Sequence, residues 1–457
     1  MAAGTYNLIW SLTLHILHAT LNRNLMSSEM KLKLGHIQGW IFYFLVFFVV
    51  FDGMRSNLII SGLVSPFREL ALNLFILCSL PMLASCKKSD LRIAIPFLCI
   101  SLLAIVNIPI TLFNNIADYK MGSILIFENK YSAVYKHIIF SILFISLLCY
   151  ARKDLAKVKN GLGMLINLAA FYSVITIPIY LYGFPLFVDK FRDWGRMGVG
   201  YPTMDGQMLC FAIFCLVFLV PQRSKLVFNF KMACLLLGII AQNTGTAMVT
   251  MVVLAMAAFV KKPGKTTSYF VFIVPIVAAI VIQQYYSNPQ FFTEMLFIAN
   301  NKISQIMNPE MSANVGDLDT LQMRVVQYEA INSIMDKNIL LRLFGVGGQA
   351  YIENEFKLTL AAYGVFSFAF FVFSFFWISF LTITSKNRNK FLILVIMVMW
   401  GFTSYTLSSI HLFTTSFCFS LVFAYTYVSG SIPSEEVEKI EYAEASQRRR
   451  IKFRISR

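Results

Sequence analysis

Two arginines flank a tryptophan in the run Asp189-Lys190-Phe191-Arg192-Asp193-Trp194-Gly195-Arg196. Guanidinium groups are suited to planar, two-point capture of phosphate, so Arg192 and Arg196 are candidates for binding a phosphorylated substrate. The plainer alternative is that they are surface charges anchoring a loop. A second group is Arg324, Gln327 and Tyr328, spaced three and four residues apart on one face of a helix predicted over 318–335. A cation, an amide and an aromatic ring on one face could hold a sugar or a phosphate, or Arg324 could simply pair with Asp317 or Glu329. A third is Glu353-Asn354-Glu355, which opens an apolar run just after Gly345-Val346-Gly347-Gly348. A carboxylate partly withdrawn from water can act as a general base, although acidic residues also cap helix starts. The glycines follow no strand, so they read as a tight turn and not as a dinucleotide fingerprint. His411, beside Ser408 and Ser409, is a further substrate-binding candidate or a structural histidine, and Asn243-Thr244-Gly245-Thr246 is a polar helix hairpin or a pocket floor.

These groups sit in a chain of 457 residues that is 58% hydrophobic, only 14% charged and carries 44 phenylalanines. Ordinary soluble domains are about 25% charged, so a soluble enzyme is excluded. Spanning a bilayer takes about 20 apolar residues as a helix, because a helix satisfies its own backbone polar groups in lipid. Runs of that kind fall near 37–54, 66–85, 93–113, 134–150, 161–182, 204–221, 226–242, 246–260, 268–284, 356–384, 391–409 and 412–429. The expected fold is therefore all-α and polytopic, with about twelve transmembrane helices. Residues 1–36 read as an amphipathic interfacial segment, with a short extra span over 5–22 as the alternative; 37–429 is the transmembrane domain, and 430–457 is a charged cytoplasmic tail. The eight cysteines show neither metal-ligand nor redox spacing, so no disulfide, metal or cofactor is expected.

With both termini inside, 26 of the 39 basic residues but 8 of the 23 acidic ones fall on the cytoplasmic side. The inner face then carries +18 and the outer face −2, as the enrichment of Lys and Arg in cytoplasmic loops requires. The net charge of +16 thus reports topology and attraction to anionic lipid, and nucleic acid need not be invoked. The outer side receives 114–133, 183–203 and the long polar segment 285–355, so the candidate chemistry gathers there.

The stretch from Arg324 through Gly345-Val346-Gly347 to Glu353-Asn354-Glu355-Phe356 and Leu360-Ala361-Ala362-Tyr363-Gly364-Val365 resembles the O-antigen polymerase (Wzy) family of the polymerase and ligase superfamily. Arg192 to Pro202 resembles that family's earlier arginine-bearing periplasmic loop, and Asn243 to Thr246 its polar hairpin. Where the ligase branch has a histidine-asparagine pair, this chain has Glu353-Asn354. The resemblance implies a GT-C-like architecture with large periplasmic loops at 183–203 and 285–355. It also implies a metal-independent glycosyltransferase of the bacterial inner membrane, active at the periplasmic face in lipopolysaccharide biosynthesis. Donor and acceptor would both be undecaprenyl-pyrophosphate-linked oligosaccharides, and a chain-length regulator protein would be a partner. Arg324, Glu353 and Glu355 would be catalytic; Arg192, Arg196, Gln327, Tyr328, Asn354 and His411 would bind substrate. The nearest alternative is the O-antigen ligase, which transfers the glycan to lipid A-core. From another class comes a lipid-linked oligosaccharide flippase or other transporter. A transporter predicts charged residues in mid-span and a repeat between halves, whereas the runs here are nearly free of Lys, Arg, Asp and Glu.

Overall fold

The computed structural model of the chain describes residues 28–55, 57–83, 86–113, 120–121, 124–125, 132–187, 199–222, 224–242, 244–261, 263 and 320–433, with backbone alone at some positions, 28–34 and 320–325 included. Every apolar run read from the sequence forms a helix there except the ninth, 268–284, which lies outside the described residues, as do 5–22, 285–319 and the tail from 434. The helices are α1 (Ser28–Arg55), α2 (Ser61–Leu83), α3 (Lys88–Val106), α4 (Ile108–Phe113), α5 (Ser132–Lys153) and α6 (Leu155–Tyr182). They continue with α7 (Pro202–Phe214, prolonged by a π-turn at Cys215–Leu219), α8 (Lys225–Gln242), α9 (Gly245–Lys261), α10 (Thr320–Met335) and α11 (Ile339–Phe344). Last come α12 (Glu355–Thr384), α13 (Lys390–Thr406) and α14 (Phe413–Ser431). The described strands, β1 (Lys120–Met121) and β2 (Ile124–Leu125), form a two-residue antiparallel ladder. Among the described residues eight helices are long and apolar enough to cross a membrane, and the chain is an all-α polytopic membrane protein.

Where the helices meet lipid, large apolar side chains stay exposed. Phe366, Phe370, Phe373, Phe376, Phe380 and Ile383 recur every three or four residues along α12, a stripe too apolar for water. α14 follows the opposite logic. It packs against α1, α5, α7 and α13, nearly all its residues are buried, and it is rich in serine and threonine. Ser420 and Thr426 hydroxyls donate to carbonyls one turn back, each at 2.7 Å, so burial leaves them satisfied. Their small size lets neighbouring backbones close in, which is how helices associate without a hydrophobic drive. Phe419 of the same helix stacks on the buried Trp400 of α13, with ring centroids 4.2 Å apart.

α12 is broken. Gly364 has φ of +81°, so the carbonyls of Ala361 and Ala362 lose their helical donors and accept instead from Val346 (2.8 Å) and Gly347 (3.1 Å). Gly345, also at φ +81°, faces this break, and a Cβ on either glycine would overlap the other segment's backbone. The glycine turn of the sequence is thus the clamp that holds the first turns of α12, Glu355 to Tyr363, as a separate short helix. On that short helix Glu355, Thr359 and Tyr363 share one face.

Candidate functional site

The clamp aims Glu355 into the bundle. Asn354 caps α12, its side chain accepting from the Lys357 N–H at 3.0 Å and donating to the Tyr405 carbonyl at 2.7 Å. The Glu355 N–H donates to the Leu407 carbonyl at 3.0 Å, so the start of α12 is stitched to the end of α13. The sequence places Glu355 at the opening of a span, partly withdrawn from water; in the structure it is fully enclosed because these two ties turn the first residue of α12 inward.

Around the carboxylate, Oε1 lies 3.1 Å from His137 Nε2 of α5 and 3.3 Å from the Thr359 hydroxyl, while Oε2 accepts from the Ile410 N–H at 2.8 Å. The other ring nitrogen of His137, Nδ1, is 3.2 Å from the Tyr363 hydroxyl. His411, in the turn between α13 and α14, sets its ring 5.4 Å from that of His137 at an angle of 76°. Its Nδ1 is buried without a hydrogen-bond partner. Burial, then the nearby charges of Lys136 and His137, hold the His411 imidazole well below its usual pKa, so it is neutral. His137, Glu355 and His411 each offer a ligand atom, and the three atoms lie within 4.8 Å of one another.

Glu353 has different surroundings. It is half-buried, its Oε1 accepts from the Tyr201 hydroxyl at 2.9 Å, and its N–H donates to Gln327 Oε1 at 3.4 Å. Gln327 is buried on α10, and the Lys357 ammonium sits 4.7 Å from the centre of the Tyr328 ring on the same helix. Of the predicted face, Gln327 and Tyr328 therefore meet the residues at and just before the start of α12; the Arg324 side chain, like Arg192 and Arg196, lies outside the described residues. Both flanks of the arginine segment are fixed at this end. Ile59 donates to Leu186 at 2.9 Å, Leu58 bridges Phe187, and Asn57 holds the Val199 carbonyl at 2.9 Å. Thr244 of the polar hinge is buried against Gly206 of α7, and Asn243 lies outside the described residues.

Sequence reasoning missed His137. The only signal available was a histidine one turn inside an apolar run, where an ionisable side chain is functional by default. It also understated the buried charges near span ends. Asp52 of α1 accepts from Arg68 (2.6 Å) and Arg55 (2.9 Å), the Arg68 guanidinium lies over Phe413, and Asp205 of α7 accepts from Tyr172 at 2.7 Å.

No protein-family model matches the chain, and no curated protein matches it significantly. What fold and site define is a class: an all-α polytopic membrane protein that gathers carboxylates, imidazoles, an amide and tyrosines at one end of its bundle.

Proposed function

We propose that the chain is a polymerase of bacterial surface polysaccharide, a glycosyltransferase that moves a glycan from one undecaprenyl-pyrophosphate carrier onto a carrier-linked repeat unit. The reading has twelve spans, both termini in the cytoplasm and chemistry at the periplasmic face of the inner membrane. The observation that carries it is the Tyr201 to Glu353 hydrogen bond of 2.9 Å. It joins the flank of the Arg192 and Arg196 segment to the residue that follows the Arg324 helix and the glycine clamp. A lipid pyrophosphate leaving group needs cations beside it, and an acceptor hydroxyl needs a base within reach. Glu353, half-exposed, is the carboxylate that a substrate can meet, whereas Glu355 is enclosed. In the proposed step the acceptor oxygen bonds to the anomeric carbon as the bond to the pyrophosphate oxygen breaks. The leaving group takes the electron pair toward the arginines, and Glu353 takes the hydroxyl proton.

The test is the lipid-linked glycan that accumulates in a deletion strain. Single repeat units exposed at the periplasmic face support the polymerase. Long unligated chains indicate the ligase instead. Repeat units trapped on the cytoplasmic leaflet indicate a transporter, the reading that the buried Asp52, Arg68 and Asp205 would serve.

A further inference from the structure

We propose that His137, Glu355 and His411 form a binding site for a divalent transition-metal ion, zinc in the first instance. The inference stands independently of the glycan reading. Zinc holds nitrogen and oxygen ligands at about 2.0–2.2 Å in a tetrahedron, which sets neighbouring ligand atoms a little over 3 Å apart. His137 Nε2 and Glu355 Oε1 are 3.1 Å apart, and one ligand atom from each of the three side chains lies within 4.8 Å of the others, so the three converge on one point. Two imidazoles and a carboxylate suit zinc and its neighbours in the first transition row, whereas magnesium and calcium take oxygen.

Two further observations point to a ligand. The first is the His411 ring itself, 5% exposed and with Nδ1 unpartnered. A buried polar atom left without a partner costs about 1–3 kcal/mol, and coordination would remove that cost. An ion pair between His137 and Glu355 accounts for two of the three side chains and leaves His411 unexplained. The second is the outer ring of contacts. Metal-bound histidines usually engage a polar partner through the distal nitrogen, and metal-bound carboxylates are hydrogen-bonded in turn. Here Tyr363 meets His137 Nδ1 at 3.2 Å, and the Ile410 N–H fixes Glu355 Oε2 at 2.8 Å. These supports come from different elements, α12 and the turn before α14, so the arrangement is set by the fold and not by one helix.

Three protein ligands leave a fourth position open, the pattern of sites that bind an exchangeable group. Charge says what that group is. The dication outweighs the single Glu355 carboxylate, so the open position favours an anionic oxygen: hydroxide or a phosphoryl group.

The experiment uses the full chain in detergent, carrying an affinity tag without histidine. The protein is loaded with zinc, desalted, and its metal counted by mass spectrometry. We expect about one zinc per chain in the wild type. His411→Ala and Glu355→Gln should each weaken binding about 100-fold or more, and Tyr363→Phe about tenfold. Cobalt in place of zinc should give the visible absorption of a tetrahedral centre in the wild type and lose it in His411→Ala. His411 lies in a turn, so its variant is the one expected to stay monodisperse; a zinc-dependent rise in melting temperature, present in the wild type and absent in His411→Ala, gives a second reading. Wild-type protein that holds no zinc above background overturns the proposal, and so does zinc that survives His411→Ala together with Glu355→Gln.

Discussion

Asp90 and Glu355 are buried carboxylates near opposite ends of the bundle, and they are answered differently. At one end Asp90 of α3 meets Arg152 of α5 through two parallel hydrogen bonds of 2.8 and 2.7 Å. The same guanidinium donates to Ser431 at 2.9 Å and lies over the Tyr427 ring. A permanent opposite charge thus satisfies the Asp90 carboxylate, and the pair ties α3, α5 and α14 together. At the other end Glu355 meets an imidazole, a hydroxyl and a backbone N–H, none of them a permanent cation, with a neutral histidine alongside. Closed networks of the first kind hold helices, whereas open ones of the second kind keep capacity for a ligand or a proton.

The largest expected effect tests this division through activity. Glu353→Gln keeps the shape and the tie to Tyr201 but cannot take a proton, so polymer synthesis should fall about 10²–10⁴-fold, with folding intact. Rates on lipid-linked substrate, read beside the melting temperature, separate the two consequences. Full activity in this variant would remove Glu353 from the chemistry.

The next effect is on stability and belongs to the other end. Arg152→Ala strands a buried carboxylate, which should cost about 3 kcal/mol. Replacing Asp90 and Arg152 together by leucine should recover most of that loss, because no charge is left unpaired. Glu355→Gln should cost clearly less than Arg152→Ala, since the amide keeps the shape and can still accept from the Ile410 N–H. Equal losses in detergent melts of the two single variants would erase the distinction between the closed and the open network.

The sequence shows these ends unequally. Helices follow from uninterrupted apolar length, a local property, and α14 is legible even though its serines and threonines lower its hydropathy. The basic residues around Lys87 and those around Arg152 are also visible as two clusters along the chain. The open cluster is not, because its members are joined only by folding: His137 and Glu355 are 218 positions apart. Nor does the sequence show that Tyr363-Gly364 marks a break in α12. That depends on Gly345 packing against it, and a single glycine in an apolar run is compatible with an unbroken helix. The contact of Gln327 with Glu353 was within reach, since spacing gave the face of α10 and the glycine turn gave the return of the chain.

The smallest effect asks what pins the loop flank to the site. Tyr201→Phe removes one hydroxyl and its 2.9 Å bond to Glu353. A net loss of about 1 kcal/mol follows for such a bond, equivalent to about fivefold in an equilibrium or a rate. How that factor is divided is informative. If the bond serves to hold the Arg192 and Arg196 segment toward the carrier pyrophosphate, the loss falls on KM for the donor, because the hydroxyl supports binding equally in ground and transition states. If instead the hydroxyl acts on the proton transfer at Glu353, kcat falls and KM stays. We expect the first outcome: Tyr201 sits at the end of the loop flank, directly before α7, and a phenylalanine there keeps the ring packing while freeing only the tether.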